Sequence, residues 1–267
     1  SAFGAIPPGQ VIPTGYTFTL GDHVYHGWTS LPPQNLVQAI GWSNDVYFYK
    51  LALALGPERI HEIGSQLGVG APTGVDLPGE SSGLLGTPDS VRRAGGTWYP
   101  GTSVILGIGQ GEVSATPLQD ARWTAAVATG QVVTPRLGLA FESGGAATAL
   151  PGPAAVPLPF AGALAPVRDG MRLAATQGTA TLLRDVPVPT GAKTGTAEDP
   201  STPSGGEDAW FTAVAPIDHP EVVVTVLVRG GGEGGLTSGP VADRLLRYYV
   251  AQRDAITATA PYGPLRG

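Results

Sequence analysis

Cysteine is absent from the 267 residues, which excludes disulfides and thiolate metal sites within the chain. Exported proteins can do without cysteine, so its absence is compatible with a cell-envelope location. Lysine is nearly absent too: only Lys50 and Lys193 occur, and arginine carries the remaining positive charge. With a formal net charge of −6 and no basic run, nothing supports nucleic-acid binding. No apolar run approaches the roughly 20 residues of a membrane helix, and no signal-peptide pattern is present. The opening residues Ser1 to Ile6 read as the tail of a helix.

What is abundant is glycine, at 40 residues, and proline, at 26, which implies many turns. A 42% hydrophobic share is enough for a core, and the length fits one large domain or two small ones. Residues 7–32 alternate aromatic residues and threonine between prolines and glycines and read as short strands and loops. After Pro32-Pro33, Leu36, Val37 and Ile40 lie at helical spacing, and Gly41-Trp42-Ser43-Asn44 breaks the pattern. Asp45 to Leu55 resumes it, with Tyr47, Leu51 and Leu55 on one face. Gly56-Pro57 stops and restarts the helix, and Ile60, Ile63 and Leu67 follow, with Gly68 as a C′ residue. Residues 68–110 read mostly as loop.

Thr116-Pro117 is an N-cap with proline at N1, opening a helix that runs to Gly130. Residues 138–165 read as hairpin or linker, 166–176 as a helix, and Thr179 to Arg184 as a second short helix. Then the period changes, and residues 191–197, 209–216 and 221–229 read as three strands. Val222 to Val228 is the strongest β run and, by composition, a buried central strand. Ser238 to Gln252 closes with an amphipathic helix whose Val241, Leu245, Leu246 and Tyr249 are expected to face the core.

The chemistry concentrates at Gly191-Ala192-Lys193-Thr194-Gly195-Thr196. A Lys-Thr-Gly on a strand edge offers a cation, a hydroxyl and a backbone that a ligand can approach closely, which suits a carboxylate-bearing, peptide-like ligand. Lys-Thr-Gly is the third element of an acyl-transfer signature whose others are a Ser-x-x-Lys nucleophile and a Ser-Asp-Asn triplet. Ser43-Asn44-Asp45 is a version of the second. No Ser-x-x-Lys occurs: Tyr47 stands three before Lys50, and Thr190 three before Lys193.

Nine segments in order extend this pattern. They are Ser43 to Tyr49, Gly68 to Pro78, Trp98-Tyr99-Pro100-Gly101, Gly107-Ile108-Gly109-Gln110-Gly111, Thr116 to Gln119, Gly170-Met171, Gly178-Thr179-Ala180, Lys193 to Glu198, and Ala209 to Thr212. Together they resemble the transpeptidase domain of class B penicillin-binding proteins, and within that class the elongation type. The resemblance spans about residue 1 to about residue 250, with a domain expected over 1–253 and a tail over 254–267. It implies a mixed α/β fold of penicillin-recognising serine acyltransferases, an antiparallel sheet with helices on both faces.

The resemblance also implies a reaction. A serine attacks the penultimate D-Ala carbonyl of a peptidoglycan stem peptide, D-Ala leaves, and an amine from a neighbouring strand resolves the acyl-enzyme; β-lactams acylate the same serine. Carried onto this chain, Ser43 helps pass a proton to the leaving nitrogen, and Asp45 is the third residue of its motif. Lys193 presents positive potential and hydrogen-bonds Ser43, while Thr194 and Thr196 bind the substrate carboxylate. The Thr196 N–H is one oxyanion donor, and Gly195 permits close approach. The nucleophile helix and two further sheet strands are expected upstream of residue 1, leaving this chain alone inactive. No cofactor or metal is implied. The parent is expected in the bacterial envelope, held by an N-terminal membrane helix, its catalytic domain outside the cytoplasmic membrane, with a membrane glycosyltransferase as partner.

Other readings compete. A penicillin-recognising sensor or scaffold that binds without turnover fits the missing Ser-x-x-Lys; a serine β-lactamase fits less well, because the Trp98 to Gly111 segment does not resemble one. Lys193 could be a surface lysine beside a turn, Ser43 a helix cap, and Asp45 a first-turn carboxylate answering the helix dipole. Gly107 to Gly111 lacks dinucleotide-loop spacing and reads as backbone packing near the site. Asp22, His23 and His26 suggest a metal site only loosely; solvated loop histidines are the simpler reading. Asp208 could touch the site, and Trp98 and Tyr99 read as packing residues.

Overall fold

The computed structural model describes residues 5–144, 146–199 and 206–258. The chain opens with an antiparallel hairpin, β1 (Gly15–Leu20) and β2 (His23–Leu31), followed by helices α1 (Leu36–Gly41), α2 (Asp45–Leu55) and α3 (Pro57–Leu67). Next come β3 (Leu84–Leu85), α4 (Pro88–Arg93), α5 (Pro100–Leu106), β4 (Val113–Ser114) and α6 (Pro117–Thr129). Short strands β5 (Gln131–Val132), β6 (Ala140–Ser143), β7 (Ala146–Ala149) and β8 (Val156–Pro157) lead to α7 (Ala165–Thr176). The main sheet is built from β9 (Gly191–Glu198), β10 (Glu207–Ala215) and β11 (Val222–Val228), and α8 (Gly234–Thr237) and α9 (Gly239–Ala258) follow it. No helix among the described residues is long and apolar enough to cross a membrane.

The sheet order is β11-β10-β9, antiparallel throughout. Alternation along β10 sorts its two faces. Phe211, Ala213 and Ala215 pack with Ala192 and with Ala242 and Leu246 of α9. Val214 packs on the other face with Ile40 of α1, Ala128 of α6 and Met171 of α7. The fold is thus mixed α/β, with helices on both faces of an antiparallel sheet.

Two glycines bring α1 and α7 together. A Cβ on Gly41 would lie 2.7 Å from Leu173 Cδ2, and one on Gly170 would lie 2.6 Å from Ile40 Cβ. This contact fixes the end of α1, and so the loop that carries Ser43, against the elements leading into β9.

Several motif residues are scaffold. Thr116 and Gln119 form a reciprocal cap at the start of α6, and the Gln119 amide also donates to the Ala71 and Ser82 carbonyls, both at 2.8 Å. Asp76 accepts from the Leu137 and Gly138 N–H groups, both at 2.7 Å, and these bonds hold its carboxyl below the usual range. Glu80 accepts from Thr73 and Gly74 N–H and is lowered by its contacts with Thr73.

Some expectations need correcting. Residues 68–110 are mostly loop, as expected, but that loop carries three short elements the sequence did not suggest, β3, α4 and α5. Thr87 caps α4 through a reciprocal bond with Ser90, and Pro88 and Pro100 occupy first-turn positions. The central strand is β10, and β11, half-buried along its length, is an edge among the described residues. The helix after it runs to Ala258 and buries Ala242 and Leu246, while Val241 and Leu245 are exposed. Thr181–Leu183 is a single 3₁₀ turn. On α2 the buried residues are Val46, Tyr47, Tyr49 and Ala52, with Leu51 and Leu55 only half-buried.

Candidate active site

The site forms where the α1–α2 loop meets β9. Ser43, Asn44 and Asp45 send their side chains to three different places. Asn44 turns inward: its Oδ1 accepts from the Tyr47 N–H at 3.1 Å, and its Nδ2 donates to Gln34 Oε1 at 2.8 Å. Asn44 is therefore the cap of α2, and Ser43 is not. Asp45 turns to the hairpin and accepts from the Trp28 N–H at 3.0 Å. Ser43 turns to β9, where its Oγ accepts from Lys193 Nζ at 2.8 Å.

Ser43 achieves this with φ of 52°, the only positive φ outside glycine among the described residues. That left-handed conformation costs a non-glycine residue about 1–2 kcal/mol and persists only where neighbours enforce it. It turns the Ser43 side chain out of the helical path, across 150 residues of sequence, to Lys193.

Lys193 also donates to the Thr194 carbonyl at 2.6 Å. Burial pulls its ammonium down to about 8 from the ordinary 10.5, with the Asp45 carboxylate pulling the other way. Burial in turn pushes Asp45 up, opposed by the Trp28 N–H and by Lys193. Lys193 is thus a cation held close to its titration point, beside a hydroxyl and within the field of one carboxylate.

The next residues of the strand divide their tasks. Thr194 Oγ1 donates to Thr179 Oγ1 at 2.8 Å, and the Thr179 N–H donates to the Gly41 carbonyl at 3.2 Å, so β9 is tied back to α1. A side chain on Gly178 would collide with that same carbonyl. Gly195 lies across from Trp210, whose Cβ would be 3.0 Å from a Cβ there, so cross-strand packing itself calls for glycine. Thr196 is exposed, and its carbonyl accepts from Gln110 Nε2 at 3.2 Å, which places the Gly107 to Gly111 loop beside the strand.

On the face of the sheet that carries Lys193, its cross-strand partner Thr212 shares hydrogen bonds with Thr124 and Thr225, and Thr225 donates to Asp120. Trp123 also donates to Asp120, whose carboxyl burial pushes up. This network bolts α6 to the two strands behind the lysine.

Not every candidate joins the site. Asp208 accepts from the Gly230 N–H and lies 3.9 Å from Arg229, where the start of β10 meets the end of β11. Trp98 donates to Ser103, whereas Tyr99 is exposed and does not pack. His23 and His26 lie in β2, not in a loop, each against a tyrosine ring. No group of three or more potential metal ligands occurs among the described residues. Trp28, Thr179 and Gln110 enter the site unforeseen. Gly178-Thr179-Ala180 and Gly107 to Gly111 mark two of these places in the sequence; nothing marks Trp28.

Comparison with known proteins agrees with this fold. The family model described as the penicillin binding protein transpeptidase domain matches residues 3–247. The chain is 33% identical over 239 residues to the peptidoglycan D,D-transpeptidase MrdA of Haemophilus influenzae, covering 82% of this chain and 37% of that protein. The chain thus spans well under half of that relative's length. A structure of the Helicobacter pylori penicillin-binding protein PBP2 with MreC superposes with a TM-score of 0.80 at 29% identity, covering 94% of this chain and 46% of that one. The aztreonam complex of penicillin-binding protein 3 from Mycobacterium tuberculosis gives 0.78 at 25% identity, over 99% of this chain and 62% of that one. With its second and third motifs joined by the Lys193–Ser43 bond and its whole fold matched, the chain belongs to the penicillin-binding protein transpeptidase family, with relatives of the elongation type.

Proposed function

We propose that this chain supplies the second and third motifs of a D,D-transpeptidase that cross-links peptidoglycan stem peptides and is acylated by β-lactams. The observation that carries the reading is the Lys193 Nζ to Ser43 Oγ hydrogen bond, which joins residues 150 apart into one proton-handling pair. The nucleophile belongs to a Ser-x-x-Lys segment that these 267 residues do not contain, so the active polypeptide joins this chain to one.

In the reaction, the nucleophile's oxygen bonds to the penultimate D-Ala carbonyl carbon, and the peptide C–N bond breaks. Ser43 gives its proton to the departing D-Ala nitrogen and regains one from the nucleophile's side. An amine from a neighbouring strand then attacks the ester and releases the serine. Lys193 holds the substrate carboxylate and orients the Ser43 hydroxyl. Asp45 tempers the lysine's charge, Thr194 and Thr196 line the carboxylate's seat, and Gly195 keeps the strand open to the peptide. The Thr196 N–H serves as an oxyanion donor.

The H. influenzae relative is named for this activity, and the M. tuberculosis neighbour is complexed with aztreonam. The H. pylori neighbour is complexed with MreC, and another solved neighbour belongs to a peptidoglycan synthase complex that coordinates polymerisation and cross-linking; a membrane glycosyltransferase of the elongation complex fits as the parent's partner. The parent acts outside the cytoplasmic membrane, anchored by a segment upstream of this one, with the catalytic unit reaching to about residue 253 and a tail after it.

Intact-protein mass spectrometry with and without a fluorescent penicillin tests the proposal. One covalent adduct on the polypeptide that includes the Ser-x-x-Lys segment, lost in its Lys193→Ala variant, is expected. No adduct on that polypeptide defeats the proposal.

A further inference from the structure

Trp28 is 58% exposed, so core burial does not explain its position. Its contacts do. The indole Nε1–H donates to the Trp42 carbonyl at 3.1 Å and to the Ser43 carbonyl at 3.0 Å. Both carbonyls lie just past the last turn of α1, where acceptors have no helical partner. The Trp28 backbone N–H donates to Asp45 Oδ2 at 3.0 Å. One residue of β2 therefore grips the Ser43 loop on both sides of Asn44.

Neighbouring contacts keep β2 where this grip is needed. Tyr49 Oη donates to the His26 carbonyl at 2.9 Å. A Cβ on Gly27 would meet Val46 Cγ2 at 3.6 Å and Asp45 Oδ2 at 3.7 Å, so the strand runs directly against the start of α2. Ser43 itself holds the positive φ that turns its Oγ toward Lys193. A peptide group relaxing out of that conformation would carry the Ser43 carbonyl away from the indole.

We propose that Trp28 is a positioning residue: its indole N–H clamps the Trp42 and Ser43 carbonyls and so holds Ser43 in the left-handed conformation that presents its hydroxyl to Lys193. The inference rests on the reading that Ser43 handles the proton of acyl transfer. Trp28 acts through Ser43, so its loss falls on the chemical step and not on ligand capture.

The experiment uses the polypeptide that joins this chain to its Ser-x-x-Lys segment and follows acylation by a fluorescent penicillin. Trp28→Phe keeps an aromatic ring and removes the donor; Trp28→His returns a ring N–H. The acylation rate constant of Trp28→Phe is expected to fall about 10- to 100-fold, as misplacement of a reacting group does. The pre-acylation dissociation constant stays near the wild-type value, and Trp28→His recovers part of the lost rate. A wild-type rate constant in Trp28→Phe overturns the inference. So does a loss confined to the dissociation constant, or an equal loss in both variants, which would report damaged folding and not a lost donor. A wild-type polypeptide that takes no penicillin at all overturns the functional reading and this inference with it.

Discussion

At the scale of the residue, Lys193 sets the pH behaviour of the site. Its ordinary pKa is 10.5 and the fold brings it to about 8, chiefly through burial. Between those values the unfolded chain keeps a proton that the folded chain has released, so this group's contribution to stability grows as pH rises through the window and is flat below it. Function runs the other way. In the proposed reaction the ammonium attracts a ligand carboxylate, and half of it is gone near pH 8. We expect the pre-acylation affinity for a carboxylate-bearing β-lactam to be steady from pH 6 to 7 and to fall as pH rises through about 8. Lys193→Met should give a weak, pH-independent affinity. Competition binding across that range reads both, and an affinity unchanged from pH 7 to 9.5 in the native protein would remove Lys193 from carboxylate recognition. The lysine was legible in the sequence because it is one of two and sits in a small-residue run. Its partner's geometry was not. Ser before an apolar run reads as a cap, yet Asn44 takes that role, and this leaves the Ser43 hydroxyl for the lysine.

At the scale of the element, the site depends on how closely α1 approaches the start of β9. Gly178 lies at that join. A Cβ there would meet the Gly41 carbonyl oxygen and carbon and the Ala174 Cα, all of them backbone atoms that cannot swing aside. Gly178→Ala should therefore destabilise by ~2 kcal/mol, within the range for overpacking a tight contact. It should also break the Thr179 N–H bond to Gly41 and loosen Thr194 through its bond to Thr179. Denaturant midpoints with penicillin acylation on the same variant check this; an unchanged midpoint would mean the join is softer than its geometry implies. Elements with a clear period, such as α2, α6 and β9 to β11, could be read from the chain. Helices α4 and α5 could not, because glycines at 83, 86, 95, 96 and 101 outweighed the start signals Thr87-Pro88 and Tyr99-Pro100. The Trp28 clamp was out of reach for a different reason: it joins an exposed indole to two main-chain carbonyls, and no residue pattern encodes such a pairing.

At the scale of the whole molecule, the exposed side of β11 decides how this stretch of chain behaves by itself. Valines fill most of β11, its side chains are half-buried, and among the described residues it pairs with β10 alone. An apolar edge strand with free N–H and C=O groups is a template for strand addition unless charge, proline or a bulge blunts it. None of the seven residues from Val222 to Val228 is charged or proline, and the β10–β11 register runs without a bulge. Elsewhere, Leu236, Val241, Leu245 and Tyr248 expose further apolar surface along α8 and α9. Composition had suggested a strand buried on both sides; the observed edge explains how so apolar a strand can be only half-buried here. The 267 residues produced alone should therefore associate or unfold at low denaturant, and a polypeptide extended at its N-terminus should be markedly more stable. Light scattering during size-exclusion chromatography and urea titration of both forms measure the difference. Reversible two-state unfolding of a monomeric 267-residue chain, at a stability of about 5 kcal/mol or more, would show that the β11 edge needs no covering strand.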